Sequence, residues 1–592
     1  MCGYLGVVSL NGINHKDLIN ANTHIICRGP DNKKISNFIS NNNVHDYIFN
    51  RLSIVDLSRK ADQPMTTLDG RYLIMFNGEI YNHFDLKKYL EKKGVQFFTH
   101  HSDTEVVLNG LAFEGKKFIN KLRGQFSIYF FDKKKNFAYL VRDRLGQKPV
   151  YYKLKKDSFV FGSNLRSINK ISPDTININR LDEFIVNSVI TSPNTIFENI
   201  YKLPPATILT IDFSNSKITT KSEIYWRLEE NLDDFDFEYK NFIDLFEDSV
   251  TIRANADVPV ANFLSGGLDS TAIVKAMSRE FKNVNTFTVN LYGENLNESY
   301  WAEKVSKKYN TIHTTIDVDS SLDIDDVDEI IELLDEPYGD PSVIPTYLIS
   351  KEISKKYKVA LSGDGGDELL GGYFRIKDSL RKKSIYRSKI AELYKYYPGF
   401  LGTGNILLKN SLNSEIVFLS YLQDQKLLET LKPSSKKDVE SLNFTNINDN
   451  YKKLLLADYK FYLSEMMMLK IDKASMSNSL EVRSPFVDHL LIEYIFKHKT
   501  QFDEKNTKKI IKDYLIEDFD SDFLNRKKQG FEFDIKNFIF DNLAYFMREI
   551  SEGEITNFYQ IKKIKLLNLN KSRINAIRIW KIYILNSYLK SL

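Results

Sequence analysis

Ser265-Gly266-Gly267-Leu268-Asp269-Ser270 could hold a phosphate, directly after the apolar run 258–264. That run predicts a buried strand, and Ser270-Thr271-Ala272-Ile273-Val274 the first turn of a helix. Glycine and serine at such a junction let backbone N–H groups converge on an anion at the helix N-terminus. A Walker loop would need Gly-x-x-x-x-Gly-Lys-Ser/Thr, and no match occurs. Asp269 would repel bare phosphate, so its position suits a Mg²⁺ ligand. Taken alone, the stretch also fits an ordinary tight glycine turn.

A second stretch narrows the reading. Lys358-Val359-Ala360-Leu361 is strand-like and leads into Ser362-Gly363-Asp364-Gly365-Gly366-Asp367-Glu368, then Gly371-Gly372-Tyr373. Glycines and acids at another strand's end fit a loop opposite the first, at the carboxyl edge of a parallel sheet. Asp269 and Asp367 could then share Mg²⁺ while the glycines hold phosphates. The pair SGGLDS and SGDGGDE resembles the ATP-pyrophosphatase synthetases, specifically the asparagine synthetase family. The resemblance implies ATP between the Leu264 and Val289 backbones, with Ser265, Gly266, Gly267, Asp269, Ser270, Ser362 and Gly363 around it. It further implies Mg²⁺ on Asp269 and Asp367, and Asp364 linked to forming an acyl-adenylate and assisting the attacking amine. Lys508 aligns with a lysine that the family places on pyrophosphate or the adenylate transition state. Its neighbour Lys509 is the alternative, and a solvated lysine pair is a third reading.

At the other end, the chain opens Met1-Cys2-Gly3-Tyr4-Leu5-Gly6. Removing the initiator Met would expose Cys2 as a residue carrying a thiol and its own α-amine. An amine with a pKa of about 8 can serve as general base. The competing reading is a small hydrophobe in a terminal strand. Further along stand Arg51, then Asn77-Gly78-Glu79 at a strand end, then His101-Ser102-Asp103-Thr104-Glu105, a capping-box pattern before a helical stretch. In this order they resemble the glutamine-binding elements of class II glutamine amidotransferases. The resemblance implies Arg51 on the glutamine carboxylate, Glu79 and Asp103 on its ammonium, and an oxyanion hole from the Asn77 side chain and the Gly78 N–H. Arg28-Gly29-Pro30-Asp31 and Arg142 to Pro149 match too, the latter as an architectural turn. Asn164 stands where the family usually has an acid, near the expected domain interface.

These residues need two frameworks. The resemblance implies an α+β N-terminal-nucleophile (αββα) sandwich over 1–205, a hairpin and linker over 206–240, and an α/β parallel-sheet ATP-pyrophosphatase domain with extra helices over 241–592. Helical pattern leads into the SGGLDS strand, and Met466 to Leu469 reads as core. Ser479 to His489 matches a family hallmark, as does the turn 526–531, while 375–450 matches least. The last stretch, about 545–592, reads as amphipathic helix.

Composition agrees with large soluble cores: 592 residues, 42% hydrophobic and 27% charged. A net charge of +4 gives no nucleic-acid footprint. The absence of an 18-residue apolar run or a leader predicts no membrane span and a cytoplasmic location. Two cysteines, Cys2 and Cys27, exclude a disulfide framework. The expected partners are small molecules: glutamine, ATP, and aspartate or another carboxylate. The family is often dimeric, which implies a homodimer. Aspartate is the default acceptor and a sugar uronic acid the alternative, with 335–342 and 375–450 as the places where an acceptor pocket would differ.

Overall fold

Alternation along the first strand sets the architecture of the amino-terminal half. In β1 (Gly3–Ser9), Tyr4 and Val8 enter one core while Leu5 and Val7 enter another. The other strands of this half are β2 (Asn32–Ser40), β3 (Asn43–Arg51), β4 (Met65–Thr66), β5 (Tyr72–Ile80), β6 (Gly124–Asp132) and β7 (Phe137–Arg142). After them come β8 (Tyr151–Leu154), β9 (Ser158–Gly162), β10 (Ile200–Lys202), β11 (Thr207–Asp212) and β12 (Thr219–Ile224). They form two antiparallel six-stranded sheets, ordered β10-β8-β9-β1-β3-β2 and β12-β11-β7-β6-β5-β4. Aromatic residues such as Tyr47, Tyr129 and Phe161 fill the space between the sheets. Helices His83–Glu91 and Asp103–Glu114 cover the outer face of the second sheet, and His15–Asn22, Leu165–Ile171 and Ile178–Asn187 that of the first. The result is the expected αββα sandwich. The hairpin read as part of a linker is instead the end of the second sheet. β11 pairs with β7, because Ile208 and Leu209 alternate between the two cores.

This computed structural model describes residues 2–592 except 216, 231, 234, 292–297, 319–322, 434–446, 500–506 and 527–532. The family turn expected at 526–531 therefore lies outside the described residues beyond Arg526. Among the described residues no helix is long and apolar enough to cross a membrane.

The carboxyl-terminal half is built on β13 (Val260–Phe263), β14 (Asn285–Leu291), β15 (Ile312–Val318), β16 (Val359–Leu361) and β17 (Glu481–Arg483). All neighbours are parallel, in the order β15-β14-β13-β16-β17. The chain runs outward from β13 in both directions, so β13 and β16 flank the switch point where such sheets open a crevice. The methionine run is core, as read, but divides: Met466 and Leu469 join one cluster, Met467 and Met468 another. The last helix, Arg573–Lys590, is not amphipathic. Ala576, Ile579, Trp580, Ile582, Tyr583, Ile584 and Leu585 are buried around its circumference because it runs through the core between the halves.

That interface holds buried ion pairs. Arg28 makes a two-pronged pair with Asp472 at 2.8 and 3.0 Å, and Lys202 meets Glu336 at 2.7 Å. Lys473 pairs with Asp335, and Tyr151 donates to Glu336. The loop from Asp335, expected beside an acceptor pocket, thus turns its first two acids into the interface, where buried cations require anions. Asn164 caps the helix Leu165–Ile171, its Oδ1 accepting from the Ser167 N–H at 2.9 Å. The domain contact there passes instead from the Leu165 N–H to Asp335 at 2.8 Å.

Candidate active sites

Cys2 lies at the start of β1, buried, and lines a cavity with Arg51, Gly78, Glu79, Ser102, Asp103 and Glu481. The Cys2 N–H donates to Asn77 Oδ1 at 3.0 Å. That bond fixes the amide, so Asn77 Nδ2 is left buried with no hydrogen-bond partner among the described residues. Such a donor is suited to an oxyanion. Gly78 follows at φ +156°, and a Cβ there would lie 2.0 Å from the Gln125 carbonyl oxygen, so only glycine brings the backbone past β6. Burial pushes the Cys2 thiol up. Its carbonyl accepts from Arg28 Nε at 3.3 Å, the same arginine that Asp472 holds.

Asp103 opens its helix and accepts from the Ile80 N–H at 3.1 Å, which ties the helix start to the end of β5. The capping box expected from Ser102 and Glu105 does not form. Glu105 binds the Phe98 and Thr99 N–H groups at 2.8 and 2.7 Å, stabilising the preceding loop instead. Arg51 lines the cavity, yet its Nη atoms bind Asp62, at 2.8 Å, and the carbonyls of Ser58, Val55 and Asp56. The corner opposite is acidic. Arg483 Nη2 lies 3.2 Å from Glu79, and Arg483 Nε 2.6 Å from Glu481. Glu481 and Arg483 belong to the family hallmark at 479–489, but nothing in linear sequence ties them to Cys2. Only the position of β17 brings them to its cavity.

The second site lies at the crevice. SGGLDS runs from the end of β13 to Gly267, which caps the helix Leu268–Glu280. Ser265 Oγ accepts from the Gly267 N–H and meets Ser270 Oγ, both at 3.2 Å. A Cβ at Gly366 would lie 2.6 Å from Asp269 Cγ, so the SGDGGDE loop rests directly on SGGLDS. Gly363 faces the same aspartate, and Asp364 stands between Gly363 and Gly365 in that loop. The Ser362 N–H donates to the Arg483 carbonyl at 3.0 Å, and its hydroxyl meets Ser484 Oγ at 3.0 Å. Leu264, in β13's continuation, and Val289, in β14, are both buried, the Leu264 N–H donating to the Phe287 carbonyl at 2.8 Å and its carbonyl accepting from the Thr288 hydroxyl. Lys508, not Lys509, reaches the loops: its Nζ lies 2.5 Å from Asp269 and 2.6 Å from Asp367. Burial alone would lower the Lys508 ammonium, but the two carboxylates raise it well above its ordinary value.

A cysteine-led αββα sandwich joined to a parallel sheet whose crevice is closed by two glycine loops defines a two-part class, an amidotransferase domain coupled to a synthase domain. The glutamine amidotransferase domain model matches residues 1–226, and the asparagine synthase model residues 241–581. The chain belongs to the asparagine synthase family. "Asparagine synthetase [glutamine-hydrolyzing] 1" of Bacillus subtilis is 29% identical, with 99% of this chain and 96% of that protein covered. "Asparagine synthetase [glutamine-hydrolyzing] 3" of the same organism is 30% identical over 90% of this chain and 87% of its own. "Putative asparagine synthetase [glutamine-hydrolyzing] 2" of Methanocaldococcus jannaschii is 32% identical, covering 80% of this chain and 98% of its own. None of the three is named for a sugar, so the uronic-acid reading gains no support from them.

Proposed function

We propose that this chain makes asparagine from aspartate, with glutamine as nitrogen donor and ATP as activator. The observation that carries the reading is the pairing in one chain of a Cys2 cavity bearing a buried, unpartnered Asn77 amide with two glycine loops that converge on Lys508. After removal of Met1, the Cys2 α-amine takes the thiol proton and the sulfur attacks the glutamine side-chain amide. Asn77 Nδ2 and the Gly78 N–H stabilise the oxyanion. The carbon–nitrogen bond breaks, ammonia leaves with the proton from the amine, and water hydrolyses the thioester to glutamate. Arg51 serves the glutamine carboxylate, Glu79 and Asp103 its ammonium.

At the crevice, Leu264, Ser265, Gly266, Gly267, Asp269, Ser270, Val289, Ser362 and Gly363 bind ATP. A free carboxylate is a poor electrophile, so aspartate attacks the α-phosphate and pyrophosphate leaves. Lys508 neutralises charge on the departing pyrophosphate. Ammonia then attacks the acyl-adenylate, Asp364 accepts a proton, and AMP leaves. Asp269 and Asp367 fit Mg²⁺, since their oxygens already converge on one cation. Among the described residues no three-acid or histidine cluster competes for a metal, and Mg²⁺ needs only one or two carboxylates besides phosphate oxygens. When bound, Mg²⁺ would offset phosphate charge.

The test is ATP–pyrophosphate exchange with aspartate against a panel of uronic acids. Exchange with aspartate alone supports the reading, and exchange only with a uronic acid overturns it.

A pH dependence follows. Burial, with Asp103 beside it, pushes the Glu79 carboxyl well above its ordinary range against the pull of Arg483, and burial raises Asp103 too. A bound ammonium favours the ionised carboxylates, so glutamine binding releases protons. The KM for glutamine therefore rises as pH falls, beginning above the usual carboxylate value of about 4.3. Initial-rate kinetics across pH check this, and Glu79→Gln should flatten the trend.

A further inference from the structure

Apolar side chains that face water are concentrated in one part of the synthase half. Ser384 caps the helix Ile385–Ala391, accepting from the Arg387 N–H at 3.4 Å, and the chain runs on as a 3₁₀ turn, Glu392–Tyr396. Neither element buries a single residue. They are anchored through Tyr394 and Tyr397. A Cβ at Gly404 would lie 2.7 Å from the Tyr397 ring and 3.3 Å from that of Tyr394, and Lys426 Nζ sits 4.7 Å from the centre of the Tyr394 ring. The outward side is apolar. Tyr386, Ile390 and Leu393 follow one another at helical spacing, and Ile385, Tyr386 and Tyr396 are 71%, 86% and 73% exposed. Ile406, 72% exposed, extends the patch from the helix Asn405–Leu408, which packs on the 3₁₀ turn. Single exposed apolar residues are ordinary, but a contiguous patch rimmed by charge marks an interaction surface.

The rim is basic. From 381 to 409 there are seven basic side chains and one acid, against a net charge of only +4 for the whole chain. Arg381, Lys382, Lys383, Arg387, Lys389 and Lys395 have no ion-pair partner among the described residues, unlike the paired cations between the halves. Lys383 Nζ is shielded from water and still has no hydrogen-bond partner there.

We propose that this face is a docking surface for an anionic phospholipid bilayer. Lipid phosphates would take the unpaired cations, and acyl chains would take Ile385, Ile390, Leu393 and Ile406 out of water. Tyr386 and Tyr396 suit the depth between them, since a tyrosine ring is apolar along its body and polar at its tip. The lysine stems can lie along the same apolar surface with their ammonium groups in the headgroup layer. A second copy of the chain would bring like charges together, which opposes pairing through this face. A nucleic acid would meet the cations but leave the aliphatic side chains in water. An acidic protein would need an apolar relief of matching shape, which a bilayer does not. Such a face lies on a membrane without spanning it.

The test is flotation of the full-length protein with vesicles of phosphatidylcholine alone, or of phosphatidylcholine and phosphatidylglycerol in equal parts. Binding is expected on the anionic vesicles, weakening as salt is raised, and only slight on the neutral ones. Arg387→Gln with Lys389→Gln should lower partitioning about fivefold for each charge removed. Ile385→Ser with Leu393→Ser should lower it at least about tenfold. All four side chains are exposed, so thermal melting and ATP–pyrophosphate exchange should stay as in the parent. Lys92→Gln with Lys93→Gln, at an exposed helix end of the amidotransferase half, is the control and should bind vesicles as the parent does. No binding to anionic vesicles, or an equal loss in the control, would overturn the proposal. So would a loss from the charge substitutions with the Ile385 and Leu393 pair neutral, which means adsorption by charge alone. Two further results also overturn it: a dimer that Ile385→Ser with Leu393→Ser splits while vesicles bind nothing, or retention of duplex DNA in place of vesicles.

Discussion

Cys2→Ala is expected to abolish glutamine-dependent amide synthesis while leaving ammonium-dependent synthesis in place. The nucleophile has no substitute: among the described residues the only other cysteine is Cys27, which does not line the cavity. Removing a covalent nucleophile costs on the order of 10⁴-fold or more, even when the oxyanion donors remain. The variant changes a small buried side chain, and its backbone contacts to Asn77 and Arg28 run through the N–H and carbonyl, which alanine keeps. The nucleotide loops share no residue with the cavity apart from their common neighbour β17. Ammonia supplied as an ammonium salt at alkaline pH should therefore reach the adenylate and yield product. The measurement is product formation from each nitrogen source, with intact mass confirming that Met1 is absent from the active enzyme. Glutamine-driven turnover by the variant, or Met1 retained in active protein, would sink the terminal-nucleophile mechanism.

Lys508→Met is expected to give the mirror image, loss of aspartate-dependent ATP–pyrophosphate exchange with glutaminase intact. Lys508 is the cation between Asp269 and Asp367, and its side chain is only 8% exposed. Without it, two carboxylates whose side chains are only 16% and 12% exposed lose their shared cation, and removing one partner from such a group costs about 3–5 kcal/mol when it is buried. Part of that loss appears as lower stability of the ligand-free protein, read by thermal melting. The catalytic loss is separate: one preorganised donor to developing charge is worth about 10²–10³-fold. Lys508→Arg keeps a charge but spreads it over a planar fork, which does not fit between two carboxylates set for a point cation. It should recover little exchange. Lys509→Met is the control, since Lys509 only opens the following helix. Equal losses from both substitutions would show that the effect belongs to the helix rather than to Lys508.

Local motifs were legible because backbone geometry restricts which residues can serve. Gly78 must pass the Gln125 carbonyl and Gly366 must rest on Asp269, so glycine marks both places in the chain itself. The sandwich was legible only through the resemblance to class II amidotransferases; in the structure, alternation along β1 sends Tyr4 and Leu5 into different cores. Patterns with two local solutions misled. Ser102 and Glu105 fit a capping box, but Glu105 found N–H groups in the preceding loop. The hairpin after Pro205 looked like an exit from the domain because nothing local shows that β7 has an open edge.

The amino-acid sequence by itself set the kinds of residue and their order: a thiol near the start, an amide and acids after it, and paired glycine loops in the carboxyl-terminal half. The tertiary structure decided which lysine enters the crevice and what turns Asp335 and Glu336 inward. It also decided that Glu481 and Arg483, from the far half, close the Cys2 cavity. The reason is physical. Side-chain type and nearby backbone constraints are written within a few residues, whereas Arg28 and Asp472 are 444 residues apart and meet only after both sheets have packed.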